Sequence, residues 1–261
     1  MPNNLPLALP PRAAVYICGI GLRVPHDLTL ETIACISASN KVFGLPAGVI
    51  PNLWPGADVV DLSVLYSEDV SRDLTYREMA AQVIESAIHD PPVAFVTYGS
   101  PSVGTDPVRY IRSLSSQHGL STHEALAPSS LEALCSLIGL DPFNGLQIIE
   151  ATRLVQQPGL LSTKLWTFLM QVPYTGQLTA THDVTVGMRF DAVAIQALTR
   201  LISRAYSPEH ECLFVRAPIH DYNLAASITR ADAIAENTPT NSATLVIPPR
   251  GQALRRHKGE S

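Results

Sequence analysis

The sequence predicts an α/β fold in which a mostly parallel N-terminal sheet is followed by a mixed C-terminal sheet, both flanked by helices. Three observations carry this reading. Short apolar runs ending in glycine, AVYICGIG at 14–21 and VAFVTYG at 93–99, have the length and texture of strands buried on both faces of a parallel sheet. Helix-periodic segments alternate with these runs, as βαβ units require. In the second half, four strand-like segments surround one long amphipathic helix, a pattern that suits a mixed sheet.

The elements follow in order. After the first strand, LTLETIACISAS at 28–39 is predicted helical, with Thr29 or Asp27 as its cap and Leu30, Ile33 and Ala34 on one face. KVFGL and ADVVDLS read as further short strands. The clearest helix spans 71–90: Ala80, Val83, Ile84, Ala87 and Ile88 recur at helical offsets, Ser71 is a natural N-cap, and Pro91-Pro92 ends it. Asp106-Pro107 opens the next helix as cap and first-turn proline, and Gly119 stops it. A short strand is expected within 121–127, then a helix over SSLEALCSLIG at 129–139. Strands are expected at 146–152, 164–172, 211–217 and 243–249, with a helix at 190–207.

With 261 residues, 46% hydrophobic and 16% charged, the chain can bury a real core, and it divides into expected domains at 13–126 and 127–250. The ends, 1–12 and 251–261, are expected to be flexible. The opening MPNNLPLALPPR has no basic segment, and its prolines break any apolar one. It reads as a leader into the first strand rather than a signal peptide, so a cytoplasmic protein is expected. A formal charge of −5 argues against broad attraction to nucleic acid or an anionic membrane, and no apolar run reaches the roughly 20 residues of a membrane helix. Cys18, Cys35, Cys135 and Cys212 lie far apart without CxxC spacing, which fits reduced thiols rather than disulfides or a metal site.

Single motifs are weak. Gly19-x-Gly21 lacks the third glycine of a dinucleotide fingerprint, and there is no GxxxxGK[ST] loop, GxSxG elbow or HExxH pair. The joint pattern is more specific. Gly19-Ile20-Gly21 is followed by Pro25. Tyr98-Gly99-Ser100-Pro101-Ser102-Val103 ends the second apolar run. APSSLEA, the tripeptide Glu150-Ala151-Thr152, a strand ending Met170-Gln171-Val172, VRAP at 215–218 and ATLVIPP come after. In this order and spacing the pieces resemble the tetrapyrrole methylase superfamily across residues 14–249.

That resemblance implies the two-domain tetrapyrrole methylase fold, a homodimer, and S-adenosylmethionine as cofactor, leaving S-adenosylhomocysteine. This ligand carries no phosphate. It needs close backbone approach, apolar walls around adenine and oxygens near its sulfonium, which glycine and proline loops at strand ends supply. Carried over position by position, the implied ligand shell is Pro25, Gly99, Pro101, Val103, Ser129, Ser130, Gln171, Ala217, Pro218 and Thr244. No metal is implied.

A narrower stretch, DLSVLYSEDVSRDLTYREMAAQVI followed by FVTYGSPSVG, looks like the borosin N-methyltransferases, which methylate backbone amides of a ribosomal peptide. The matching residues are Tyr66, Arg72, Tyr76, Met79 and Tyr98. An amide nitrogen attacks only when its proton is withdrawn or its oxygen is stabilised as an imidate. Arg72 and Tyr76 are four apart, on one face of a helix. The resemblance therefore implies Tyr76 as base, with Arg72 favouring tyrosinate or stabilising the amide oxygen, and Tyr66 and Tyr98 positioning the amide.

The chain departs from the family at Ser100, where His or Asp is usual, at Ala127-Pro128-Ser129-Ser130, and at Ile149. The tail GQALRRHKGES is not the apolar core peptide of the fused borosins, so a separate precursor peptide methylated in trans is expected. Methylation of a tetrapyrrole or other small molecule, and a non-catalytic binding scaffold, are the alternative readings.

Overall fold

A computed structural model of the chain describes residues 10–45, 47–179, 191–216, 225–239 and 243–254. The first strand, β1 (Val15–Gly19), is buried along its whole length and lies between two neighbours. The chain then runs through α1 (Leu30–Ser37), β2 (Lys41–Leu45), α2 (Ile50–Leu53), β3 (Val59–Asp61), α3 (Arg72–His89), β4 (Val93–Thr97), α4 (Asp106–Gln117) and β5 (Thr122–Ala125). All the strand pairs are parallel, in the order β3-β2-β4-β1-β5.

Because both faces are covered, alternate residues of one strand serve different cores. Val15, Ile17, Val93 and Phe95 pack with Met79, Val83 and Ile84 of α3 and Val108 and Ile111 of α4. Tyr16, Cys18, Ala94 and Val96 pack on the other face with Cys35, Ile36 and Ile50. The connection from β1 leads to β2 and that from β4 leads to β5, toward opposite edges. The carboxyl ends of β1 and β4 are therefore a topological switch point, where open α/β sheets form sites.

The elements above belong to one compact unit, which includes the described residues through Ser130 together with Leu178 and Thr179. The remaining described residues form a second unit. Its elements are α5 (Ser130–Ile138), β6 (Leu146–Glu150), α6 (Ala151–Gln156), β7 (Trp166–Met170), α7 (Ala192–Ala205), β8 (Glu211–Arg216), β9 (Ala225–Arg230), α8 (Ile234–Asn237) and β10 (Thr244–Ile247). The sheet order is β6-β7-β10-β8-β9, with only β6 and β7 parallel. Leu169, Phe214, Leu245 and Ile247 pack against Leu198 and Ile202 of α7, while Phe168, Val215 and Val246 face Leu134 of α5. The parallel and mixed sheets are as the sequence predicts. No described helix is long and apolar enough to cross a membrane.

Several boundaries differ from the sequence reading, each for a local reason. Thr29, not Asp27, caps α1, its hydroxyl accepting from the Thr32 amide at 3.0 Å. Leu30 and Ile88, predicted to face inward, are exposed; the buried face of α1 is Thr32, Ala34, Cys35 and Ile36. Thr105 rather than Asp106 precedes α4, so Asp106 is its first residue. The strand expected over 146–152 stops at Glu150, whose carboxylate caps α6 by accepting from the amides of Thr152 at 3.0 Å and Arg153 at 2.8 Å. Strand β9 was not predicted: AASITR is small and polar, and pairs on one side only, with β8.

Candidate active site

The loops after β1 and β4 are joined backbone to backbone. The Gly21 amide donates to the Gly99 carbonyl at 3.2 Å, and the Gly99 amide to the Gly21 carbonyl at 2.9 Å. Two glycines make this approach possible. A Cβ on Gly19 would stand 2.5 Å from the Gly99 oxygen and 2.8 Å from Pro101 Cδ. At Gly21, where φ is +73°, it would stand 2.1 Å from Asp27 Cβ. The Thr32 hydroxyl of α1 donates to the Gly19 carbonyl at 2.9 Å, so the helix also fixes the strand end.

Asp27 organises the first loop. Its Oδ2 accepts from the amides of Leu22 at 3.1 Å and Arg23 at 2.9 Å, and its Oδ1 from Arg23 Nη2 at 2.7 Å. Burial pushes this carboxyl up, but the Arg23 guanidinium and the two amides outweigh burial and hold it below the ordinary value. The sequence reading weighed Asp27 only as a helix cap. The retrievable signal was its spacing, five residues after Leu22 and four after Arg23, which suits a side chain closing a tight turn.

Of the predicted ligand residues in this unit, Gly99 and Pro101 are buried in the second loop, Val103 is half-buried, Ser129 is buried and Ser130 begins α5. Pro25 is exposed in the first loop. Ser100, the departure from the family pattern, is buried with its hydroxyl 2.9 Å from that of Ser102. It thus serves the loop's own turn. Tyr98 belongs to these loops: its hydroxyl donates to the Leu22 carbonyl at 3.1 Å. Burial, then the Asp27 carboxylate, pushes its phenol up to about 12.

Tyr66, Arg72 and Tyr76 form a second cluster in the same unit. Asp61 caps a 3-10 turn, Leu62–Leu65, that delivers Tyr66. Ser71 starts α3 by accepting from the Leu74 amide at 3.4 Å, and the Arg72 amide, which the helix leaves without an internal partner, donates to the Leu178 carbonyl at 2.7 Å. An antiparallel bridge between Ser71 and Thr179 runs alongside. The Tyr66 and Tyr76 rings meet edge to face, 6.2 Å apart and 86° inclined. Met79, the remaining residue of the borosin-like stretch, is buried in the core below.

The Tyr76 phenol hydrogen-bonds with Tyr66 and Arg72, and both lower its pKa together with the Arg72 charge. Burial is the larger effect, however, and the net direction is upward. The Arg72 charge pulls the phenol down and burial pushes it up further, so Tyr76 rests as a neutral phenol rather than the tyrosinate expected of a base. At neutral pH the cluster offers a neutral phenol and a guanidinium, a pair suited to stabilising negative charge on an oxygen. Val64, Leu74 and Leu178, close in sequence to these residues or to their backbone partner, are 62%, 58% and 70% exposed.

In the second unit, Gln171 directly follows β7 in a left-handed conformation, φ 58° and ψ 34°, the one non-glycine residue at positive φ among those described. Such a backbone is costly for a side chain with a Cβ and recurs at functional positions. Thr244 is buried at the start of β10, its hydroxyl 3.6 Å from Met170 Sδ. Ala217 and Pro218 lie outside the described residues.

No protein-family model matches the chain. It is 25% identical over 255 residues to the methyltransferase/ribosomally synthesized type I borosin cyclic peptide precursor of Serendipita vermifera subsp. bescii, covering 92% of this chain and 60% of that protein. It is 22% identical over 248 residues to a type II borosin precursor of Phlebiopsis gigantea, covering 90% of this chain and 43% of that protein. The chain thus spans about half the length of these curated relatives. Among solved structures, the methyltransferase CobJ superposes with a TM-score of 0.64 at 14% identity, over 90% of this chain and 93% of that one. Uroporphyrin-III C-methyl transferase from Thermus thermophilus, complexed with S-adenyl homocysteine, superposes with 0.59 at 17% identity, over 90% and 91%. The chain has the fold of the tetrapyrrole methyltransferases, and its sequence is similar to the borosin methyltransferases over nine-tenths of its length.

Proposed function

We propose that this protein is an S-adenosylmethionine-dependent methyltransferase that methylates backbone amide nitrogens of a peptide presented as a separate chain. The observation that carries the proposal is the meeting of Tyr66, Arg72 and Tyr76 at the start of α3. Similarity to proteins described as methyltransferases joined to cyclic peptide precursors supports it. So does the shared fold of a methyltransferase that holds S-adenyl homocysteine.

The residues present fit the cofactor. At Gly99, φ +66°, a Cβ would meet only Leu22 Cδ2 at 3.6 Å, so its backbone has an open side for close approach. Of the residues that the family resemblance implies, Pro25, Gly99, Pro101, Val103, Ser129 and Ser130 of the first unit would hold it, and when bound it supplies a methyl group on a sulfonium sulfur. The chain's own part is electrostatic. As the amide's N–H proton passes to solvent water, the negative charge left behind gathers on the amide oxygen. Arg72 and the neutral Tyr76 phenol donate to that oxygen, and Tyr66 holds Tyr76 in place. Tyr98 ties the loop after β1 to the end of β4, and both loops would contribute to the cofactor shell. The working form is a homodimer.

The test is single-turnover transfer from labelled S-adenosylmethionine to synthetic apolar peptides, with N-methyl residues located by mass spectrometry. Methyl groups on backbone nitrogens are the expected result. Label transferred to a tetrapyrrole and to no peptide would replace this reading with the small-molecule one.

A further inference from the structure

The helices α3 and α4 join successive parallel strands, β3 to β4 and β4 to β5, so they run parallel to each other and begin at the same end of the sheet. One cluster ties their N-terminal ends together. Tyr110 of α4 is half-buried, its ring packed against the core that holds Met79 and Ile111. Its hydroxyl donates to Asp73 Oδ1 of α3. Arg109 Nη2 donates to that hydroxyl at 2.7 Å and to Asp73 Oδ1 at 3.5 Å. Arg77 Nε donates to the other carboxylate oxygen of Asp73 at 2.9 Å. The guanidiniums of Arg77 and Arg109 each stand 4.6 Å from the Tyr110 ring centre.

We infer that Tyr110 is a positioning residue of the proposed site: its ring seated on the core, its hydroxyl fastens the first turn of α3 and so holds Arg72 beside Tyr76. The catalytic meaning of this rests on the proposed function; the clamp itself does not. Asp73 and Arg77 are four apart, as Arg72 and Tyr76 are, and the two pairs span the same turn of helix. A first turn frays most readily, because its amides have no partners earlier in the helix. Here the backbone is tied once, where the Arg72 amide donates to the Leu178 carbonyl. Tyr110 adds a second tie, made through side chains from the neighbouring helix. Opening of the turn separates the Arg72 guanidinium from the Tyr76 phenol, and closure keeps both directed at one substrate oxygen. The charged members of the cluster are more than half exposed, so it adds little to global stability and acts on the turn it spans.

Tyr110→Phe keeps the ring and removes the hydroxyl alone. The Thr75 amide, which donates to the Ser71 carbonyl at 3.0 Å, reports closure of the turn. Followed by NMR, its hydrogen exchange should be about threefold faster in Tyr110→Phe, with the mid-helix amides of Val83 and Ile84 unchanged. Single-turnover methyl transfer to a peptide should slow about threefold, at unchanged affinity for S-adenosylhomocysteine. In an Arg72→Ala background the same change should slow transfer no further, because the residue it positions is gone. A contact serving stability alone would lower the melting temperature and leave both readouts as they are. Unchanged Thr75 exchange, a wild-type rate, or an equal slowing in the Arg72→Ala background therefore overturns the inference. Asp73→Asn takes the place of Tyr110→Phe should that variant not fold. If Thr75 exchange rises and no peptide is methylated by the wild type, the proposed function fails and the clamp stands.

Discussion

The hydroxyl of Tyr98 donates to the carbonyl of Leu22 at 3.1 Å, so a side chain at the end of β4 closes the loop that follows β1. Tyr98→Phe removes that hydrogen bond and should cost about 1 kcal/mol of stability. Because both loops belong to the proposed cofactor shell, S-adenosylhomocysteine should bind roughly fivefold more weakly. Calorimetry on the two proteins measures it. The Tyr98 phenol sits at about 12 in the fold, above its unfolded value of about 10. Its contribution is full below the unfolded value and is lost as pH rises through the folded one. Wild type should therefore lose more stability than Tyr98→Phe across that alkaline window.

Tyr76→Phe and Arg72→Ala should each slow methyl transfer by about 10²-fold or more while leaving cofactor affinity nearly intact. The double variant should be little worse than either, since both residues serve one oxygen. With Tyr76 held above the ordinary phenol range, the rate should fall, not rise, as pH passes through its ionisation. Single-turnover kinetics against pH decide this, and a wild-type rate for Tyr76→Phe would make the pair structural.

Gly21→Ala should cost about 3 kcal/mol, combining a left-handed backbone with a collision against Asp27. Gly104→Ala is the control: its φ is +65°, but nothing lies within 4 Å of the added carbon. It should cost only about 1 kcal/mol. Denaturant unfolding of the two variants separates close approach from conformation.

Asp27 makes an acid-side prediction. Its folded pKa lies below the unfolded one, so its contribution is present above the unfolded value of about 4 and is lost as pH falls through the folded value. Asp27→Asn should destabilise the protein at neutral pH and flatten its loss of stability on acidification. Thermal melts at several pH values read both effects.

Much of this was legible in the residues themselves. The two-sided burial of β1 and β4 could be read from AVYIC and VAFVT, and the amphipathic face of α3 from Ala80, Val83, Ile84 and Ala87. The spacing of Arg72 and Tyr76 gave their shared helix face. What sequence could not weigh was desolvation: the Arg72 charge on Tyr76 is visible in the spacing, whereas the burial that exceeds it depends on the rest of the core. Asp27 was missed for a related reason. A carboxylate near a helix start reads as a cap until the backbone shows that the preceding turn has claimed it. Ser100 stands in the sequence as a departure from the family's His or Asp, and only the structure shows that its hydroxyl is absorbed within its own turn.

The contrast between exposed apolar side chains and the anchored pair Arg72 and Tyr76 has a consequence for how such a protein can diversify. Val64, Leu74 and Leu178 are mostly solvated, so exchanging them alters little of the buried core, and most surface changes fall within about 0.5 kcal/mol. Arg72 and Tyr76 are anchored by the helix and core beneath them. A lineage, or a combinatorial library, can therefore explore new residues at these exposed positions without approaching the threshold of unfolding, while Arg72 and Tyr76 stay where they are. Sequence drift should therefore be fastest at positions such as 64, 74 and 178 and slowest at 72 and 76.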